Sequence, residues 1–581
     1  MYNPTSLMQY RSQIKAGDTA VILLVALAIY LIGITAHQWE GVYHPAAEID
    51  LSSSHLFIYS LYSMGRALIA YMLSLLFTLT FGYMAAKSRI AEKIIVPLLD
   101  IGQSIPVLGF LPGLVLGLVA IFPHNNIGLE LACILMIFTG QVWNMTFSFI
   151  SSVKSVPTQL HEMGDNVGLS KIRKFFRIEL PCAGTGLAWN SLMSIAGGWF
   201  FLTVCEAFTL GEKNFRLPGL GSYMSVAIDQ GDTRAMIWGV TAMVGVIVFS
   251  DFVIWRPVIA WTSKFRLSES HEDFQNIPFM TLLFRESNLA RWVTTLFNHF
   301  LDEYVRVYRK ISHSEVVTVV KNPKRKIIRF TMEKETVEKI VSVLVYLGLL
   351  FVGFKLILFV QNLKWVAWRD ILVGTGCTAL RVFIAVLLST IWALPAGIMI
   401  GLSPKWTRWL QPIIQIGASF PAPMIYPLAL GIFSFFHLSI NVSAALLMLL
   451  GVQWYILFNV LAGAVTISQD LRDSFQLIGV SRKALWTKLY LPSVFPYLIT
   501  GWVTAAGGAW NASIVSEYIA YGKTQLIARG LGAMISESTS QGDYPRLVAC
   551  LLMMVATVVL VNRGFWARIY HIAETRFRFE R

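Results

Sequence analysis

Long apolar blocks alternate with short polar stretches along most of the chain. A hydrocarbon core about 30 Å thick needs roughly 20 mostly apolar residues to cross it as a helix. On that measure the pattern predicts spans near 19–36, 58–86, 94–122, 128–150, 182–210 and 235–261. A second set falls near 337–360, 372–402, 409–436, 440–465, 493–520 and 545–566. This is the pattern of an all-α integral membrane protein with about six plus six transmembrane helices. The first run, Val21 to Thr35, follows Arg11 and Lys15 and precedes no small-residue cleavage site, so it reads as a retained span. Between the sets lies a polar stretch from Ser263 to Lys334. Within it Leu289, Trp292, Leu296, Phe300, Tyr304, Tyr308 and Ile311 recur at helical spacing opposite a basic face, as in a helix lying on the inner leaflet.

Composition agrees: 55% of residues are hydrophobic and 14% charged, with a mean hydropathy of +0.61. These values exclude an ordinary soluble enzyme. The net charge of +14 fits Lys and Arg gathered in cytoplasmic loops against anionic lipid, rather than nucleic-acid binding. Lys87, Arg89 and Lys93, then Lys154, Lys171, Arg173, Lys174 and Arg177, alternate with a loop holding Glu40, His44, Glu48 and Asp50. That bias predicts both termini in the cytoplasm. The five cysteines show no paired spacing, so neither a disulfide framework nor a metal site is expected.

The chain repeats itself. Shifted by 311 residues, Gly168 falls on Gly479, Pro181 on Pro492, Trp199 on Trp510, Glu206 on Glu517, Gly219-Leu220-Gly221 on Gly530-Leu531-Gly532, and Gln230-Gly231-Asp232 on Gln541-Gly542-Asp543. Earlier in each half the offset is 315, pairing Arg66 with Arg381, Gly102 with Gly417 and Pro106 with Pro421. Such matches indicate duplication, with parallel repeats about an axis along the membrane normal. The halves are 1–262 and 337–581, with repeated cores at 60–262 and 371–573 joined by a basic cytoplasmic linker, 263–336.

The most informative matched element runs Glu162-Met163-Gly164-Asp165-Asn166-Val167-Gly168 and then Ile178-Glu179-Leu180-Pro181, just before a span. Its second copy runs from Asp473 through Gly479 to Leu489-Tyr490-Leu491-Pro492. A short amphipathic segment that stops at glycine and resumes before a Leu-Pro step makes a helix parallel to the membrane, shaped as a docking knob. These stretches resemble the EAA loop of ABC-type importer permeases, in the nitrate/taurine/sulfonate/bicarbonate branch. Met163-Gly164 and Ser474-Phe475 stand where the family has two alanines, and Asp473 stands for the glutamate.

The resemblance implies a type I permease fold whose loops, carrying Glu162, Gly168, Lys171, Pro181, Asp473, Gly479, Arg482 and Pro492, dock two copies of an ATPase subunit. ATP and Mg would then sit on those partners and no cofactor on this chain. A periplasmic or lipid-anchored solute-binding protein would deliver a small solute, an anion such as nitrate, a sulfonate or bicarbonate. The resemblance places the chain in a bacterial inner membrane.

Polar and aromatic residues inside spans are candidates for the solute path: Gln103, Ser104, Trp143, Asn144, Trp199, Glu206, Ser419, Gln453, Trp454, Trp510, Asn511 and Glu517. Each Trp is equally suited to interfacial anchoring, and Glu206 and Glu517 to helix packing or gating. Pro106 to Pro112 and Pro421 to Pro427 should break their helices and free backbone groups that a cavity or neighbour must satisfy. A secondary transporter with two parallel halves is the main alternative, and lacks a docking loop repeated in both copies. A membrane enzyme would need metal-ligand or paired-carboxylate spacing that is missing here. Gly522-Lys523-Thr524 ends like a phosphate loop, but the position of the first glycine is Glu517.

Overall fold

The computed structural model describes residues 16–40, 45–104, 106–210, 213–265, 353–521 and 524–566, with isolated positions between 287 and 351 and at 568–569. The linker helix, the basic run Lys324 to Arg329, most of the 337–360 span and the Gly522-Lys523 pair lie outside these residues.

Half one begins with α1 (Ala16–Glu40), which packs on α2 (Leu56–Phe77). A π-turn at Thr78–Gly82 joins α2 to α3 (Tyr83–Lys87). Then come α4 (Arg89–Ser104), a 3-10 turn at Val107–Phe110, α5 (Leu111–Ile121) and α6 (Ile127–Lys154). The short α7 (Thr158–Asn166) and α8 (Lys171–Lys174) lead through a π-turn at Phe175–Glu179 into α9 (Leu180–Cys205). A hairpin, β1 (Ala207–Leu210) with β2 (Lys213–Arg216), precedes α10 (Leu220–Gln230), α11 (Thr233–Ser250), a π-turn at Asp251–Trp255 and α12 (Arg256–Thr262).

Half two repeats the order. It runs α13 (Trp365–Gly401), α14 (Pro404–Ser419), a 3-10 turn at Ala422–Met424, α15 (Tyr426–Phe435) and α16 (Ile440–Val465). Next are α17 (Gln469–Leu477), α18 (Arg482–Leu485), a π-turn at Trp486–Tyr490 and α19 (Leu491–Ser516). A second hairpin, β3 (Tyr518–Tyr521) with β4 (Thr524–Ile527), leads to α20 (Leu531–Gln541), α21 (Tyr544–Val561) and a π-turn at Asn562–Trp566. One apolar core runs through both halves, holding Met136 and Leu202 of the first and Met448 and Ala509 of the second.

The all-α membrane architecture stands, with refinements. Eight of the described helical stretches are long and apolar enough to cross a membrane. The spans expected at 94–122 and 409–436 are each two helices, because Pro106 and Pro421 cannot continue the preceding one. α19 is 26 residues long, but its Gly, Trp and Asn content lowers its hydropathy. The spans expected to reach 210 and 520 stop at Cys205 and Ser516, where the chain turns into hairpins that apolarity alone does not reveal.

The repeated Gln-Gly-Asp motif is a helix-to-helix joint. Gly231 and Gly542 adopt φ of +68° and +71° to end α10 and α20. Asp232 and Asp543 then cap the next helix, their carboxylates accepting from Ala235 N at 3.0 Å and Arg546 N at 3.2 Å.

Candidate coupling loops and the contact between halves

Each loop ahead of the long helices α9 and α19 is built the same way. α7 is stopped by Gly168 at φ +70° and α17 by Gly479 at φ +72°, a conformation that costs other residues strain. Leu169 N bonds back to Gly164 O at 2.8 Å and Val480 N to Phe475 O at 3.3 Å, closing the turn. Ser170 and Ser481 start the next turn by accepting from Arg173 N and Ala484 N. Pro181 and Pro492 sit in the first turn of α9 and α19, where no amide donor is needed.

Glu162, Lys171, Asp473 and Arg482 are exposed on these loops. So are apolar side chains: Met163 (60%) and Val167 (76%) on the first, Leu477 (88%) and Ile478 (78%) on the second. Gly164 is small for a reason, since a Cβ there would meet Ile178 at 2.9 Å. The loops are tied to the end of the first repeated helix by different chemistry. Lys87 and His161 both reach Glu179, at 2.5 and 3.6 Å, whereas Arg472 donates to Leu402 O at 2.9 Å.

At the opposite end of α9 and α19 sit two buried polar networks that sequence reading left unassembled. Arg66 (α2) donates to both oxygens of Glu130 (α6) at 2.7 Å, to Glu206 at 2.8 Å and to Pro218 O at 2.7 Å. Glu206 also accepts from Ser63 Oγ and Gly221 N, each at 2.7 Å. In half two Arg381 donates to Glu517 at 2.6 Å, to Asn441 Oδ1 at 2.5 Å and to Arg529 O at 2.8 Å. Thr378 and the amides of Gly532 and Ala533 complete the shell of Glu517. Both glutamates are fully buried and, in this conformation, held by arginine and backbone donors rather than open to a path. The repeated Gly-Leu-Gly run explains itself here, since a Cβ on Gly219 or Gly530 would fall 2.4 or 2.1 Å from the carboxylate. Glu130 and Asn441 occupy equivalent positions at the 311 offset, the one signal by which the difference between the networks was readable.

The remaining path candidates divide. The six-membered rings of Trp143 and Trp454 abut Gly102 and Gly417, where a Cβ would approach to 2.6 and 2.8 Å. Gln103 and Asn144 are exposed, and Ser104 is the last residue of α4. Gln453 bonds weakly to Leu450 O at 3.5 Å, and Trp510 is buried in the core. Trp199 and Ser419 come together, lining with Gln415, Ser250 and Asp251 a cleft between the halves. Asp251 there accepts from Arg256 at 2.8 Å and from Gln415. Asn511 crosses to the other half and accepts from Val107 N at 2.9 Å, satisfying one amide freed by the Pro106 break. Its counterpart in half one is Phe200.

A bundle in two parallel halves, each with a glycine-ended loop ahead of a long helix, defines a membrane permease. The chain belongs to the family described as binding-protein-dependent transport system inner membrane component, whose model matches it twice, at 78–254 and 393–565. It is 25% identical over 182 residues to the nitrate import permease protein NrtB of Leptolyngbya laminosa, covering 31% of this chain and 62% of that protein. It is 28% identical over 178 residues to the bicarbonate transport system permease protein CmpB of a Synechocystis strain, covering 30% and 60%. It is 28% identical over 164 residues to the taurine transport system permease protein TauC of Escherichia coli, covering 28% and 55%. The chain thus matches about six-tenths of the length of these relatives.

Proposed function

We propose that this chain supplies both permease halves of an ATP-driven importer for a small oxoanion, of the size and charge of nitrate, bicarbonate or a sulfonate. The names of the relatives support the solute class. The loops carry the rest. Two knobs of one design, each presenting exposed apolar side chains beside charged ones, suit insertion into a groove on each of two ATPase subunits, which hold the ATP and Mg. Closure of those subunits on ATP would draw the knobs together and rock the halves to face a solute-binding protein outside. Nucleotide then selects between two conformers by differential binding. The basic loops on the knob side support an orientation with both termini cytoplasmic, and the family described as an inner membrane component supports the cell inner membrane.

The test is copurification with candidate ATPase subunits and ATP-dependent uptake in proteoliposomes, before and after Val167→Asp with Ile478→Asp. Loss of both complex and uptake is expected. An intact complex and unchanged uptake would refute docking through these knobs.

A further inference from the structure

The two hairpins lie on the face opposite the coupling loops, and the halves treat them differently. In half one a short extended segment covers the edge of β2 through a single bridge. Arg216 N donates to Pro45 O at 2.8 Å and Ala47 N to Arg216 O at 3.1 Å, a parallel pairing centred on Ala46. That segment is anchored by Tyr223 OH on Leu51 O at 3.0 Å and by Asp50 N on Tyr59 OH at 3.1 Å. Under it Phe215 is only 3% exposed.

Half two has the same hairpin without the cover. Ile527 stands at the place of Arg216, pairs with Tyr518 as Arg216 pairs with Ala207, and directs its amide and carbonyl at no partner among the described residues. Leu526, at the place of Phe215, is 37% exposed and Ile527 46%. Among the described residues, the segment ahead of α13 is too short to cover this edge as Pro45–Ala47 covers β2. Fifteen residues separate α1 from α2, but only 361–364 separate the helical residues 353–360 from α13. The anchoring tyrosines are replaced by Gly374 and Met534.

We propose that β4 is a docking edge that receives an extended, acidic strand of the external solute-binding subunit, added in parallel as Pro45–Ala47 is added to β2. The identity of that subunit rests on the importer reading above. Half one supplies the template: its own covering segment carries Glu48 and Asp50, while in half two the exposed Arg529 follows β4 by two residues. Backbone pairing supplies the attachment and the exposed Leu526 and Ile527 supply apolar contact. Docking is therefore one-sided, since half one's edge is already occupied.

The probe is a photo-reactive peptide with the sequence of residues 44–51, His-Pro-Ala-Ala-Glu-Ile-Asp-Leu, added to the full chain in lipid nanodiscs. Saturable crosslinking within Thr524–Ile527 is expected. Ile527→Pro, which removes the donor N–H, should weaken it about fivefold or more, while Ile527→Arg, the half-one residue, should retain it. Melting temperature checks that both variants fold. Absence of saturable labelling, or labelling indifferent to Ile527→Pro, overturns the proposal. In the assembled transporter, a photo-crosslinker at position 526 should capture the solute-binding subunit; capture of a second copy of this chain or of lipid instead overturns the choice of partner. Normal ATP-driven uptake with Ile527→Pro would sink the docking edge and leave the importer reading standing. No ATP-driven uptake with any partner set would sink that reading itself.

Discussion

Replacing Arg66 with Met tests whether the two buried networks differ as their composition says. Arg66 is completely buried and makes four bonds, three of them to carboxylates. Met fills similar volume but leaves Glu130 and Glu206 facing each other with no cation. Removing one member of a buried ion pair costs about 3–5 kcal/mol, and two stranded acids place this variant at or above the upper end unless one takes up a proton. Arg381→Met strands only Glu517, which keeps Thr378 and two backbone donors, so its cost should lie at or below the lower end. Glu130→Asn gives half one the composition that half two already tolerates, and should cost about 1 kcal/mol. The assay is tryptophan-fluorescence melting of the purified protein at one fixed scan rate, because membrane proteins often unfold irreversibly. The expected order of destabilisation is Arg66→Met, then Arg381→Met, then Glu130→Asn. Equal losses for the two arginine variants, or a Glu130→Asn loss as large as that of Arg66→Met, would refute the reasoning.

Other outcomes follow from single contacts. Gly219→Ala and Gly530→Ala each push a methyl onto a buried carboxylate and should lower stability by about 1–3 kcal/mol, measured by the same melting assay. Gly168→Ala and Gly479→Ala meet no neighbour within 4 Å, so each should cost only the strain of a positive φ, about 1 kcal/mol. They should lower uptake less than the paired Asp substitutions on the knobs, as read from initial uptake rates. Asn511→Leu leaves the Val107 amide without its acceptor. A loss of about 1–3 kcal/mol is expected on melting, while Phe200→Leu, which removes no hydrogen bond, should stay below it.

Much of this was legible in the sequence because the duplication labels its own important positions. The offset paired Gly168 with Gly479, and both proved to need the left-handed conformation. It paired Pro106 with Pro421, and both break a helix. It paired Arg66 with Arg381 and Glu206 with Glu517 but could not join one pair to the other. Arg66 and Glu206 lie 140 residues apart, and helical periodicity carries no information across that distance. Glu130 passed unnoticed because its counterpart is Asn441, so the search for matches hid the difference that matters. The hairpins escaped because β1 and β3 continue the apolar character of the helices before them.

The hydrogen bond from Val107 to Asn511 also bears on why the two halves share one polypeptide. Two separate subunits of this kind could associate in three combinations, and a pair of first halves would have no asparagine for the amide freed beside Pro106. A pair of first halves would oppose Val107 with Phe200 on both sides, and a pair of second halves would set Asn511 against Ala422. Covalent linkage holds the stoichiometry at one of each and so excludes the pair of first halves at any expression level. Once pairing is assured in this way, each half can diverge without having to recognise its own kind.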